Sequence, residues 1–473
     1  MNSLKPWQWA GLTLGVLLVT YSVFSHLQYF SNVSFLGAIL LIEVIVASLW
    51  KYDQRFFVLL MIAFLWAGMN VPLSGAWTSA RWAVLSAGAL VGCLSWMKSS
   101  RHGFRSFHLL ALFCVGAAFV SATVSPLPQM ASFKALSLLL LFLYCASGAR
   151  LAVLGREERF FHGVLWGCEI AVYATAICYF GLGLSVWGNP NSLGAAMSIG
   201  VFPILLWGWL TSGGSALKFR RLAALFLCAY LIFFSMARAG MISMILVTLV
   251  LFLCLHQYRL LVKVVGLVLL LVAVSGVLAP ERLNKSVGNM KDALLYKGHK
   301  EEGLLGSRQT PWQKTIATIR EHPWFGTGYG TSPTGDDPGL SFGKFASSAE
   351  TVREHGSSYM TIAEWVGLLG VMPFLALVSL TASNVWRVCA WMNRNSDARH
   401  YSIPLAMVVL SGLAHASFED WLFAVGAYPC VYFWVFAFLL ADLLPATVEV
   451  STSPVFVRRS TSLPGFRVVV PNR

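Results

Sequence analysis

Runs of about twenty apolar residues, broken by short polar turns, recur along nearly the whole chain, and each is long enough to cross a bilayer as a helix. They fall near 7–24, 33–50, 56–72, 82–97, 108–125, 133–149, 161–184, 193–211, 219–236, 240–256, 260–279, 358–386, 401–417 and 422–445. The 82–97 and 401–417 runs are short, so the pattern predicts twelve to fourteen crossings. Lipid offers no partner to an unpaired backbone N–H or C=O, so each crossing must be helical. The expected fold is an all-α polytopic membrane protein. With 57% hydrophobic and only 11% charged residues, the chain lies far from the roughly 25% charged residues of a soluble domain. A soluble enzyme, a disordered chain and a secreted disulfide scaffold are all excluded.

The net charge of +14 is scattered in small clusters between apolar runs. With residue 1 in the cytoplasm, the inner short loops hold sixteen Lys and Arg, and the outer ones only Arg81, Lys134 and Arg238. That asymmetry is the signature of cytoplasmic loops and places both termini inside. No soluble domain is present to carry a groove-reading element, so nucleic acid is excluded as a partner. The chain divides into N-terminal membrane helices (1–279), an outer loop (280–357), C-terminal membrane helices (358–445) and a basic cytoplasmic tail (446–473). Near-neutral in charge, the outer loop has ten Lys/Arg and nine Asp/Glu, and a connection of that length between membrane helices is usually functional. Nine cysteines all lie in or at the ends of apolar runs without a CxxC pair, which points to inert thiols and no zinc site. The first run, from Trp7 to Phe24, lacks a small-residue cleavage site followed by a soluble chain and is expected to stay as a helix.

Chemistry-bearing residues gather on the outer side. Arg238, in Ser-Met-Ala-Arg-Ala-Gly between two apolar runs, either faces a polar cavity as a phosphate ligand or snorkels at a helix end. In the outer loop a helix is expected over 307–320, with Pro311 in its first turn and Trp312, Ile316 and Ile319 forming an apolar stripe. It carries Arg308, a second guanidinium for a diphosphate clamp, and runs into His322-Pro-Trp-Phe-Gly-Thr-Gly-Tyr-Gly330, whose alternating glycines permit close backbone approach. His355, at the mouth of the helix after 358, is either a general base or an interfacial hydrogen-bonding group. Gly188-Asn-Pro-Asn191-Ser192 reads as a turn and helix cap, with Asn191 a lesser candidate for substrate contact. Glu43, Glu169 and Glu364 lie within spans; the first two are expected to pack against a buried polar partner, and Glu364 is placed to orient the cavity mouth. His415, Glu419 and Asp420 crowd another outer turn and either line the same cavity or solvate the turn, the second reading being preferred. Asp336-Asp337 precedes Pro-Gly and reads as an ordinary turn, so no metal is expected.

In this order and placement, over about 185–375, these features resemble the O-antigen ligase and polymerase superfamily of bacterial inner-membrane glycosyltransferases. The likeness rests on Gly188-Asn-Pro-Asn191, Arg238 before Ala-Gly, the Arg308…Trp312 helix leading to His-Pro-Trp-Phe-Gly-Thr-Gly328, His355 before Tyr359, and Glu364-Trp-Val-Gly-Leu-Leu-Gly370. The resemblance implies a GT-C-like bundle with a large periplasmic loop in the bacterial inner membrane. It implies an enzyme without cofactor or metal that takes a glycan from an undecaprenyl-diphosphate carrier to a hydroxyl of lipid A–core or of another glycan. Arg238 and Arg308 would then hold the diphosphate, His355 would take the acceptor's proton, and Asn191 and Tyr359 would touch substrate. A transporter or flippase of lipid-linked sugar is the alternative from another class, and it would place ionisable residues near mid-membrane in corresponding halves. Here they lie at one face and no repeat is found.

Overall fold

The computed structural model describes residues 53–72, 74–99, 103, 105–263, 266, 306–332 and 355–445. The expected spans at 7–24 and 33–50, most of the one at 260–279, Glu43, Asp336-Asp337 and the basic tail lie outside the described residues. Every regular element among them is helical: α1 Asp53–Ala67, α2 Ser74–Ser99, α3 Ser106–Thr123, α4 Pro128–Val153, α5 Glu157–Gly181, α6 Pro190–Leu210, α7 Ser215–Phe234, α8 Arg238–Cys254, α9 Gly306–Glu321, α10 Ser358–Asn395, α11 Ser402–Ala416 and α12 Tyr428–Asp442. Six of them are long and apolar enough to cross a membrane, and the protein is an all-α polytopic membrane protein.

Local chemistry sets the ends. Proline stands in the first turn of α4, α6 and α12, where its missing N–H costs nothing. The Asn189 side chain caps α6 by accepting from the Ser192 N–H at 3.0 Å. Asn191 and Ser192, the expected caps, sit inside the first turn, because Pro190 fixes the helix start one residue after Asn189. α10 stops at Ser396, which adopts φ 50°. Three π-turns, at Cys145–Ala149, Ile177–Gly181 and Ala196–Val201, re-aim α4, α5 and α6. Small residues let helices touch: a Cβ on Gly92 would lie 2.6 Å from the Gly148 nitrogen where α2 crosses α4. The outward surface carries Leu109, Leu112, Phe113, Ile170, Phe219 and Phe226, all exposed, as a lipid-facing surface requires. The nine cysteines are thiols, none in a disulfide.

The turns at 68–72, 124–127, 182–189, 235–237 and 417–427 gather with the 322–332 segment at one end of the bundle. The Asn70 N–H donates to the Val186 carbonyl at 2.6 Å, Tyr428 Oη to the Ser192 carbonyl at 2.7 Å, and Tyr329 Oη to the Phe423 carbonyl at 2.7 Å. At the opposite end the Arg150 Nε lies 2.7 Å from Asp442, both side chains 3% exposed, and the Arg105 guanidinium donates to the Ala441 carbonyl. This clasp ties the last helix to the first half of the chain. Removing one partner strands a buried charge, so Asp442→Ala is expected to cost about 3–5 kcal/mol, and Arg150→Leu with Asp442→Leu to recover most of it. The thermal midpoint of the detergent-solubilised protein measures both. Glu169 also finds its buried partner, lying 2.9 Å from the Arg220 Nε and 3.6 Å from that of Arg221.

Candidate functional site

The site begins with a break in a helix. Within α10, Gly367 adopts φ 66°, ψ −177° and interrupts the hydrogen-bond ladder. The N–H groups of Leu368 and Leu369 turn outward to the carbonyls of Pro323 and Trp324 at 2.7 and 3.2 Å. In return, the Thr327 and Gly328 N–H groups donate to the carbonyls of Glu364 and Trp365 at 3.0 and 3.1 Å. The Ser121 hydroxyl completes the exchange, donating to Trp365 at 2.5 Å. The Pro-Trp-Phe-Gly-Thr-Gly segment is thus a strap stitched into the broken helix, with Gly326 packed against the Glu364 and Trp365 backbone and Gly328 against the Ser125 and Thr331 side chains. Ser125 bonds Thr331 at 2.9 Å and Lys134 bonds the Gly330 carbonyl, which holds the strap to α3 and α4.

Beside the break lies His355, wholly buried. Its Nδ1 is 3.3 Å from Asp420 Oδ2, which also accepts the His355 backbone N–H at 3.0 Å. Its Nε2 is 3.2 Å from Glu364 Oε1 and 3.0 Å from the Ser332 hydroxyl, which accepts the Trp365 indole N–H at 3.3 Å. One imidazole is therefore bracketed by two carboxylates. Burial alone would pull its pKa down, but the hydrogen bonds and charges of Asp420 and Glu364 outweigh burial and hold it above the usual value. Burial likewise works to raise the Asp420 carboxyl, and its bonds and attraction to His355 reverse that, leaving it below the usual carboxylate range. The two carboxylates sit on opposite ring nitrogens and so do not converge on a point where a metal would bind.

Ser358 fixes this geometry. Its hydroxyl donates to the Glu419 carbonyl at 2.6 Å and accepts the N–H groups of Trp421 and Leu422 at 3.1 and 3.0 Å. The residues after His355 thus hold the turn that carries Asp420. Ser358, Thr361, Trp365, Asp420, Leu422 and Phe423 line a narrow crevice there.

Residues 223–375 match the family model described as O-antigen ligase. Over this stretch the chain is similar to the O-antigen ligase and polymerase superfamily. No curated protein matches the chain. The matched segment contains Arg238, the strap, His355, Glu364 and Gly367, whereas Asp420 lies beyond it.

Arg238 is the first residue of α8, at the same end of the bundle and partly buried. Met236 turns the chain in the left-handed region at φ 51°, and Ala237 then seats against Gly194 of α6, where a Cβ on the glycine would collide with the alanine side chain. The small residues around Arg238 are the condition for that seat. The same first turn of α6 carries Asn191, whose amide lies 3.5 Å from Glu419, the neighbour of Asp420. Arg308 lies in α9, and its side chain is outside the described residues. Tyr359 donates its hydroxyl to the Leu413 carbonyl at 2.9 Å, a bond within the bundle.

Several expectations change. Asp420 does not merely solvate its turn but pairs with His355, and its neighbour Glu419 meets Asn191. His415 is buried and accepts the Trp421 indole N–H at 3.0 Å. α9 starts at Gly306, so Pro311 stands in its second turn, and its buried face is made by Thr315 and Thr318 while Ile316 is exposed. Short threonines permit the close approach to the bundle that a bulky stripe would prevent. Ser332 and Ser358 are the residues missed as members of the site, and Asp420 was named at its turn but given the lesser reading. The sequence signal for Asp420 was a Glu-Asp pair on an outer turn, whose partner lies 65 residues earlier, and nothing marked the two serines.

Proposed function

We propose that this protein is an O-antigen ligase-like glycosyltransferase that moves a glycan from undecaprenyl diphosphate to a hydroxyl of lipid A–core at the periplasmic face of the inner membrane. The observation that carries the reading is a buried imidazole set between two carboxylates inside a segment similar to this superfamily, at the bundle end that also holds Arg238. Loss of a diphosphate leaving group concentrates negative charge, which the planar guanidinium groups of Arg238 and Arg308 are suited to neutralise without a metal. The acceptor oxygen must shed a proton as it attacks, and the His355 cluster is the base that takes it. The isoprenoid tail stays in lipid, so the donor arrives sideways along the apolar surface. Both termini are cytoplasmic in this reading, following the Lys/Arg asymmetry.

Deletion of the protein from its host tests this. Full-length polymer left on its lipid carrier, with bare lipid A–core at the surface, is the expected result. Accumulation of single repeats would make the protein the polymerase of the same superfamily, and an unchanged surface glycan would overturn the reading.

A further inference from the structure

Of the three ionisable side chains in the cluster, Asp420 alone lines the crevice, and its side chain is 24% exposed, while those of His355 and Glu364 are 0% exposed. A hydroxyl approaching the cluster from outside meets the exposed edge of this carboxylate before it can reach the ring. Both ring nitrogens already face partners, Nδ1 towards Asp420 and Nε2 towards Glu364 and Ser332. A direct base needs a nitrogen lone pair aimed at the substrate, and this imidazole has none so aimed.

We propose that Asp420 meets the acceptor hydroxyl, and that His355 and Glu364 act behind it as a proton sink. This rests on the transferase reading above. The acceptor O–H bond breaks and its proton goes to Asp420, while the oxygen's electron pair forms the new bond to the anomeric carbon. The bond from that carbon to the carrier's diphosphate breaks, and its electrons leave with the diphosphate. Neutralising Asp420 removes the charge that favours an imidazolium at His355, so the Nε2 proton passes across 3.2 Å to Glu364. The step starts with two carboxylates and an imidazolium and ends with two carboxylic acids and a neutral ring, so protons and charge balance. The groups facing His355 are both acidic and hold a proton on the ring while they are charged; once Asp420 is neutral, only Glu364 still favours the imidazolium, and Glu419 stands next to Asp420 on its turn. Asp420 is thus the catalytic residue, with His355 and Glu364 as positioning residues that tune it.

The test uses the full-length protein in lipid nanodiscs with an undecaprenyl-diphosphate-linked glycan and a hydroxyl acceptor. Asp420→Asn is expected to lower kcat by about 100-fold or more with donor KM unchanged, and Asp420→Glu to restore part of it, as removal and return of a general base require. In mixed H2O and D2O, kcat of the unaltered protein should report two protons in flight, and that of Glu364→Gln one. A merely structural Glu364 would not change that number. If Asp420→Asn keeps its rate while His355→Gln is inactive, His355 meets the hydroxyl itself and the proposal falls. An unchanged two-proton response in Glu364→Gln removes the second step. If His355→Gln is active as well, the transferase reading fails with it.

Discussion

Glycan transfer is expected to be lost on replacing His355, with the protein still present in the membrane at its normal abundance. The clean variant is His355→Gln, which fills the site and can still hydrogen-bond but cannot hold a proton near neutral pH. A loss of at least about 100-fold in kcat is expected, because the proton taken up by Asp420 then has no imidazole behind it and the carboxylate loses the group that holds it in place. His355→Ala should be equally inactive and also less stable, because it leaves Asp420 and Glu364 facing each other without the ring between them. Stability against pH separates the two roles of the ring. The pKa of His355 is raised in the folded protein, so its contribution is complete below the unfolded-state value and fades as pH rises through the folded one. Asp420 is depressed, so its contribution is present above the unfolded-state value and fades as pH falls through the folded one. The thermal midpoint should therefore hold between the depressed Asp420 value and the raised His355 value and decline on both sides. In His355→Gln the alkaline decline should vanish. A variant that loses activity but keeps that decline would show that the group titrating there is not His355.

Much of this architecture was legible because hydrocarbon imposes simple rules. Among the described residues most apolar runs found their helices to within a few residues, since lipid forces each run to satisfy its own backbone, although α10 continues nine residues past the expected end at 386. The 82–97 run proved too short only because Ser74, Gly75 and Thr78 begin α2 with small polar residues that hydropathy discounts. Glu169 was expected to have a buried polar partner because an isolated carboxylate in a span is too costly, and Arg220 and Arg221 supply it. What local pattern could not supply was pairing across distance. Asp420 and His355 are joined by a turn whose position depends on Ser358 and on α11, α12 and the strap, and nothing near Asp420 marks it as different from a solvated turn residue. Nor was the break at Gly367 visible, because Trp-Val-Gly-Leu-Leu-Gly reads as a continuous apolar helix. Glycine inside such a run is common. Only the facing glycines of the strap, far off in sequence, reveal why it must be glycine.

Gly367→Ala is accordingly expected to be among the most damaging single changes in the chain, although it adds one methyl group. Two costs combine. The first is conformational, since φ 66° is a left-handed value that alanine occupies at a penalty of about 1–3 kcal/mol. The second is collision: a Cβ at Gly367 would lie 2.5 Å from the backbone nitrogens of Phe325 and Gly326. Those atoms belong to the strap and cannot rotate away as a side-chain tip can. Gly183 allows the costs to be separated, because it has the same φ of 66° and a Cβ there would meet nothing within 4 Å. Gly183→Ala should lose only the conformational part, about 1–3 kcal/mol. Gly367→Ala should lose more, through the four exchanged backbone bonds that join the strap to α10. Their loss frees Glu364 and Ser332 from the positions that bracket His355, so activity should disappear with stability. Thermal midpoints of the two variants in the same detergent, measured beside transfer rates, decide it. Equal destabilisation would mean that the strap yields at little cost and that the break in α10 does not hold the His355 cluster in place.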